Sequence, residues 1–114
     1  MVEVLLDTNF IITCMKQKID FFDELKFMGF RIVIPKQVID ELKKLNRELE
    51  LKLLETNRNF FRMVRFKKGY VDKGIVEYGA KNPGTVIATL DSDLRSKLTN
   101  QIMVIRGQKT LEVV

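Results

Sequence analysis

Hydrophobic and polar positions are arranged along this chain in a way that predicts strands and helices in turn. Short, mostly apolar runs at residues 2–6, 31–34, 85–90 and 102–105 are bounded by polar or turn residues, which is typical of buried strands in a parallel sheet. Between them, apolar residues recur at helical spacing. The pattern predicts an α/β fold, a three-layer α/β/α sandwich with a mainly parallel sheet of four or five strands.

The helix predicted after the second strand places one acid at the edge of its core face. Pro35 is expected at its first position, where a missing N–H does no harm. Val38, Leu42 and Leu45 recur at i, i+4 and i+7 and mark the buried side. Glu41 lies about 60° from Val38 on the helical wheel, so its carboxylate is expected to turn toward the core.

The middle of the chain is predicted to hold a long charged helix, from Leu45 to Phe61, whose apolar edge is Leu49, Leu53 and Phe60. A short edge strand over Met63–Phe66 and a turn at Lys68–Gly69 follow. The next helix, Val71–Ala80, places Asp72 in its first turn and on its inward side, where the positive end of the helix dipole favours a carboxylate.

Length and composition fit one domain spanning residues 1–114. The sequence is 46% hydrophobic and 31% charged, as in ordinary globular proteins. It has no apolar run near the ~20 residues that cross a membrane. The N-terminus also lacks the features of a secretory signal, so we expect a cytoplasmic protein with no membrane partner.

Some kinds of chemistry are excluded by residues that the sequence lacks. The chain has no histidine, so histidine-based acid–base catalysis and histidine-ligated metals are not available. Its single cysteine, Cys14, lies in an apolar helical run and is expected to be a buried hydrophobic residue. Any catalysis must therefore use carboxylates, hydroxyls, amines or a hard metal ion.

The net charge of +5 is concentrated in one segment. Residues 43–68 contain nine basic side chains against three acidic ones. A basic stripe suits a polyanion such as nucleic acid, and an ordinary solvated helix face with pairs such as Glu48–Lys52 explains it equally well. The RNA-contacting candidates are Lys43, Lys44, Arg47, Arg58 and Arg62.

Four acids are placed to meet at one edge of the predicted sheet. Asp7 and Asp91 each follow a strand directly, and parallel strands end on the same edge. Glu41 and Asp72 lie early in helices on sides turned toward the core. Asp93, two residues beyond Asp91, is within reach of the same rim. Each acid alone is explained by a structural role such as helix capping, and only their convergence favours chemistry.

Clustered carboxylates repel one another and raise their pKa values unless a cation is present. A hard divalent ion such as Mg²⁺ or Mn²⁺ takes oxygen ligands and keeps several waters, so a few carboxylates suffice to hold it. Such an ion can activate water and neutralise a phosphate's developing charge. Beside a basic surface, this predicts a metal-dependent phosphodiesterase that acts on nucleic acid.

Four segments, taken in order, resemble the motifs of PIN-domain ribonucleases. They are residues 5–11 (LLDTNFI), 33–42 (VIPKQVIDEL), 71–72 (VD) and 88–95 (ATLDSDLR). The resemblance implies a three-layer α/β/α fold and Mg²⁺- or Mn²⁺-dependent endonucleolytic cleavage of RNA. It implies that Asp7, Glu41, Asp72 and Asp91 bind the metal, that Asp93 is an auxiliary acid, and that Thr8 or Asn9 orders the site.

The resemblance also has a departure and leaves alternatives open. Many relatives carry a second acid directly after the third motif, where this chain has Lys73. The segments 75–78 and 104–109 look more like the branch that processes ribosomal RNA, with ribosome-assembly factors as partners. A VapC-type toxin with an antitoxin partner, and a non-catalytic RNA-binding module, are the alternatives. A homodimer is also expected.

Overall fold

The computed structural model describes residues 1–67, 70–107 and 109–114. Helices and strands alternate through the first five strands, and a last strand follows without a helix between. The strands are β1 (Glu3–Leu6), β2 (Arg31–Pro35), β3 (Phe61–Val64), β4 (Val86–Ala88), β5 (Ile102–Arg106) and β6 (Thr110–Val113). The helices are α1 (Thr8–Lys16), α2 (Phe21–Phe27), α3 (Lys36–Lys44), α4 (Glu48–Thr56), α5 (Val71–Lys81) and α6 (Ser92–Ser96), and a 3₁₀ turn spans Arg58–Phe60.

The six strands form one sheet in the order β3-β2-β1-β4-β5-β6. The first five are parallel, and β6 pairs antiparallel with β5. The predicted α/β/α class is therefore confirmed, with one strand more than expected. The extra strand lies in the apolar C-terminal tail, which pairs with the edge of the parallel sheet.

Side chains alternate between the two faces of the sheet, and each face is covered by helices. Val4 and Leu6 point into the larger core cluster, which takes in buried residues of α1, α2, α3 and α4. Leu5, between them, points to the opposite face, where Ile75 of α5 and Leu94 of α6 cover it. Both faces are closed, which explains why β1 is apolar on both sides.

The direction of chain growth along the sheet reverses beside β1. From β1 the chain moves outward to β2 and β3 on one side, and then returns to place β4 on the other side. In open parallel sheets, the crevice beyond the carboxyl ends of the strands at such a reversal is the usual ligand site. Here that crevice lies between the ends of β1 and β4, where Asp7 and Asp91 follow their strands.

The prediction of one long helix over Leu45–Phe61 is wrong. The chain breaks at Asn46, whose φ of 55° is left-handed, and continues as α4, a 3₁₀ turn and then β3. Leu45, Leu49 and Phe60 are exposed, and the side of α4 that packs inward carries Leu54 instead. Leucines occur so often in this segment that more than one helical register fits the pattern.

Smaller predictions were shifted along the chain. The edge strand lies at Phe61–Val64 rather than Met63–Phe66, and it is at the edge of the sheet as expected. Pro35 ends β2 and caps α3 instead of opening it. The predicted turn at residues 68–69 lies outside the described residues. None of the described helices is long and apolar enough to cross a membrane.

Candidate active site at the ends of β1 and β4

Asp7 is the centre of this site, and its position follows from local sequence. It is the first residue after the apolar strand β1, and its backbone N–H donates to the carbonyl oxygen of Ala88 in β4 at 3.0 Å. Its side chain then caps α1, with Oδ1 accepting from the backbone N–H of Thr8 at 2.8 Å. Only 5% of Asp7 is exposed. A buried carboxylate is thus held at the point where the sheet order reverses.

A second donor to Asp7 comes from β4's far end. The hydroxyl of Thr89 donates to Oδ2 of Asp7 at 3.0 Å, across 82 residues of sequence. The same hydroxyl accepts from the backbone N–H of Asp91 at 3.2 Å. Thr89 is itself buried. It therefore fixes the carboxylate of Asp7 and the start of the segment that carries Asp91.

The environment of Asp7 disfavours its charge. Burial raises the pKa of Asp7 from 3.8 to about 6, against the lowering effect of hydrogen bonds from Thr89 and Thr8. The negative charges of Asp72 and Glu41 raise this pKa further, so both acids are near enough to Asp7 for their charges to act on it. Within the described ranges no lysine or arginine is paired with Asp7. A buried acid left near other acids is a common property of functional sites.

The other predicted acids lie around Asp7 at greater exposure. Glu41 is half-buried on α3, and Asp72 is exposed in the first turn of α5 rather than turned inward. Asp91 is half-buried and caps α6, its Oδ1 accepting from the backbone N–H groups of Asp93 and Leu94. Asp93 is exposed. Asp7 is the one member of this set that is buried.

Three residues, Gln37, Phe66 and Gly74, connect the helix that carries Glu41 to the helix that carries Asp72, and we call them the latch. Gln37, one turn before Glu41 on α3, bonds both backbone groups of Phe66, donating to its carbonyl at 3.0 Å and accepting from its N–H at 3.1 Å. The Phe66 ring in turn lies against Gly74 of α5, where a Cβ would fall 2.1 Å from Cδ2 of the ring. Asp72 is therefore positioned through Gly74, two residues further on.

Whether a divalent cation suits this site can be judged from its donors. In residues 1–67, 70–107 and 109–114, no three acids or thiols stand close enough to hold a metal ion as placed. The donor chemistry nevertheless fits Mg²⁺ or Mn²⁺, because the side chains that act on Asp7, those of Thr89, Glu41 and Asp72, all offer oxygen. Thr8 adds a buried hydroxyl with no hydrogen-bond partner among the described residues. Glu41 and Asp91 are half-buried, and Asp72 is exposed.

The match to known proteins agrees with this geometry. Residues 4–109 match a family described as a PIN-like domain. The chain belongs to the PIN-like domain family. The match spans both Asp7 and Asp91, so the strand ends that form the site are inside it.

Three relatives show what PIN-like proteins this chain resembles. It is 30% identical to ribonuclease VapC4 of Methanocaldococcus jannaschii over 99% of this chain and 97% of that protein. It is 33% identical to the rRNA-processing protein fcf1 of Schizosaccharomyces pombe, over 83% of this chain but 52% of that protein. The solved PIN domain endonuclease Utp24 superposes with a TM-score of 0.83 at 26% identity, covering 97% of this chain and 90% of that one.

The basic residues expected to contact RNA are divided among several surfaces. Lys43 and Lys44 are exposed at the end of α3, the helix that carries Glu41. Arg47 pairs with the buried Glu50 at 2.7 Å. Arg58 bonds the carbonyl of Phe61 and lies over its ring, and Arg62 pairs with Glu3. They do not form the continuous helical stripe that the sequence predicted, because the long helix does not exist.

Two residues of the site were missed by sequence reasoning. The sequence gives a weak signal for Thr89, because a polar residue at the end of an apolar strand does not add to the hydrophobic core and can serve a site instead. Gln37 carries none, because its partner Phe66 is 29 residues away in a segment without clear periodicity. The expected ordering role of Thr8 and Asn9 also differs in detail. Thr8 acts on Asp7 through its backbone N–H, and the hydroxyl that bonds Asp7 belongs to Thr89.

Proposed function

We propose that residues 1–114 form one PIN-like domain that acts as a metal-dependent endoribonuclease, hydrolysing RNA phosphodiester bonds with Mg²⁺ or Mn²⁺. The observation that carries this proposal is Asp7. Asp7 is buried, and each of its carboxylate oxygens accepts one hydrogen bond, Oδ1 from the backbone N–H of Thr8 and Oδ2 from the hydroxyl of Thr89. Its charged neighbours are acids rather than a base. A purely structural carboxylate at this depth is usually paired with a cation.

The residues assigned to the metal are Asp7, Glu41, Asp72 and Asp91, with Asp93 as an auxiliary acid. When bound, a hard divalent ion supplies an activated water and neutralises charge on the phosphate. The chain's own contribution is to hold Asp7 in one orientation through Thr8 and Thr89, and to keep it largely out of water. Thr8 and Asn9 remain assigned to ordering the site.

We assign RNA as the substrate because matched relatives are named as a ribonuclease and an rRNA-processing protein. Lys43 and Lys44 are the better supported of the predicted RNA contacts, since they are exposed and share α3 with Glu41. Processing of ribosomal RNA is the proposed role, with ribosome-assembly factors as partners. The relative fcf1, which is named as an rRNA-processing protein, supports this role.

A VapC-type toxin role is a second candidate, favoured by one specific observation. The chain spans nearly all of ribonuclease VapC4 but only about half of fcf1. A toxin would be encoded beside a small antitoxin that binds and inhibits it. Inhibition by the product of a neighbouring gene would support this role. We also propose a homodimer, which light scattering on the purified chain would test.

The central experiment compares the wild-type protein with Asp7→Asn on total RNA. We expect the wild-type protein to cleave RNA with Mg²⁺ or Mn²⁺ and to lose this activity in EDTA. The variant should stay folded and should be at least about 100-fold less active than wild type, because a neutral amide replaces a carboxylate ligand. Full cleavage by Asp7→Asn, or in EDTA, would contradict the proposal. RNA binding without cleavage by the wild type would identify a non-catalytic RNA-binding module instead.

A further inference from the structure

A groove beside Asp72 extends the acid site along the surface. It has a volume of about 380 Å³ and is lined by Tyr70, Asp72, Lys73, Val76 and Lys97. The first four come from the start of α5 and the residue that precedes it, and Lys97 caps the end of α6. Asp72 lines the groove, and its negative charge is near enough to Asp7 to raise the pKa of that carboxyl, so the groove lies beside the acid site.

Two lysines give this groove its positive charge. Lys73 and Lys97 are both exposed, and among the described residues neither is paired with a carboxylate. Lys43 and Lys44 are exposed and, within the described ranges, unpaired as well, so the charge gains its meaning from the other side chains that line the groove. Two unpaired ammonium groups on one groove attract an anion, and phosphate is the anion that lysine binds as a point charge.

The same groove offers an aromatic face. Tyr70 is 87% exposed where it caps α5, and Val76, one turn into the helix, gives the groove an apolar wall. An exposed aromatic ring beside basic groups is the arrangement on which single-stranded nucleic acids stack their bases. Stacking of this kind tolerates any base, because every base has a π-face.

The size of the groove favours one nucleotide rather than a duplex. About 380 Å³ lies in the range typical of small-ligand pockets. Double-stranded RNA is instead recognised across two successive minor grooves, which requires a much longer surface. Bases of a duplex are also stacked on one another and cannot reach Tyr70.

Resting on the proposed nuclease function, we propose that this groove binds one nucleotide of single-stranded RNA next to the bond that is cut. Lys73 and Lys97 hold its phosphate, and its base stacks on Tyr70. Asp72, which lines the same groove, is exposed beside them. Lys73 thus has a role of its own in binding the strand.

The test measures binding of a fluorescein-labelled ten-nucleotide oligouridine to the full chain in EDTA, by anisotropy, with the RNA checked for integrity on a gel. Lys73→Glu/Lys97→Glu is compared with the control Lys16→Glu/Lys81→Glu, which makes the same charge change at exposed lysines on α1 and the far end of α5. Thermal unfolding of each variant confirms that it is folded.

We expect the groove variant to bind at least about tenfold more weakly and the control less than about twofold. Loss of the one phosphate contact should also lower the salt-dependence slope by roughly 0.7, the contribution of one neutralised phosphate on a single strand. Tyr70→Ala should weaken binding by about five- to a hundredfold, the range of one stacked base, and Tyr70→Phe should bind as wild type.

Equal losses in the groove and control variants would overturn the proposal, because binding would then follow net charge alone. Preference for duplex RNA would overturn it as well. Failure of the nuclease proposal is a separate result. If the groove variant loses binding while no metal supports cleavage, the nucleotide site stands and the nuclease assignment falls. If Asp7 is required for cleavage but the groove variant binds normally, the reverse holds.

Discussion

The two ends of strand β1 each carry a carboxylate, and the protein treats them in opposite ways. Glu3, at the start, accepts from Arg62 of β3 at 2.8 Å and from the hydroxyl of Tyr78 of α5 at 3.1 Å. This network raises the pKa of Arg62, chiefly through its hydrogen bond to Glu3. Asp7 lies just past the other end of β1 and is not paired with a cation in the described structure. Burial raises the pKa of Asp7 to about 6.

The difference separates an edge tied together by an ion pair from the edge to which we assign the site. At the Glu3 edge, charge is neutralised and three elements are tied together, which stabilises the fold. At the Asp7 edge, the carboxylate is buried with two hydrogen-bond donors but, among the described residues, no cation, so its ionisation costs stability. Sites that carry function often keep such unfavourable groups. The following predictions test this contrast.

The largest expected effect is on stability at Asp7. Its folded pKa lies above its ordinary 3.8, so its stabilising contribution is complete below about pH 4 and is lost as pH rises through about 6. Asp7→Asn should therefore be about 1–3 kcal/mol more stable than wild type at pH 7.5 in EDTA, and nearly equal to it at pH 4. Urea unfolding at the two pH values measures the difference. A variant less stable than wild type at pH 7.5 would contradict the contrast.

Thr89 should matter more for activity than for folding. Thr89→Val removes the hydrogen bond that lowers the pKa of Asp7, so cleavage should fall by about 10–100-fold and the acid limb of its pH profile should move to higher pH. Thr89→Ser keeps a hydroxyl and should recover most of the activity. A loss of rate with an unmoved pH profile would indicate that Thr89 serves packing alone.

The latch between α3 and α5 predicts a mixed effect. Gly74→Ala places a methyl group into the Phe66 ring and should cost about 1–3 kcal/mol in urea unfolding. Because Asp72 lies two residues away, cleavage should fall further than the stability loss explains. Gly84→Ala is the control, since a Cβ there meets open space. Equal activity in the two variants would show that the latch does not position Asp72.

The smallest effect is expected at the paired edge. Glu3→Gln makes the same carboxylate-to-amide change as Asp7→Asn, but it should destabilise the protein by about 1 kcal/mol or less, because the Arg62 pair is solvent-exposed. Cleavage should be unchanged. Together the two variants give opposite signs of stability change for one chemical change. If Glu3→Gln stabilised the protein as Asp7→Asn does, the two edges would not differ in kind.

Most of the parallel sheet was predictable from the sequence because its strands are short, mostly apolar runs. The strands predicted at 2–6 and 31–34 lie at 3–6 and 31–35, and the helix from Val71 was found nearly to the residue. The segment 45–66 was not, because its leucines satisfy several helical registers and its break depends on the left-handed backbone of Asn46. The C-terminal strand was missed because its pairing with β5 is a tertiary contact.

For the site, the sequence by itself determined that Asp7 and Asp91 follow strands, since an apolar run ending in a capping acid is a local pattern. The sequence also determined which side chains are available for catalysis or metal binding, because a chain without histidine leaves carboxylates for these roles. Only the tertiary structure decided which acid is buried and what holds it. Thr89 reaches Asp7 across 82 residues, and Arg62 reaches Glu3 across 59. Contacts at such separations leave no periodic signal, so the sequence does not show that one carboxylate is paired with a cation and the other, within the described structure, is not.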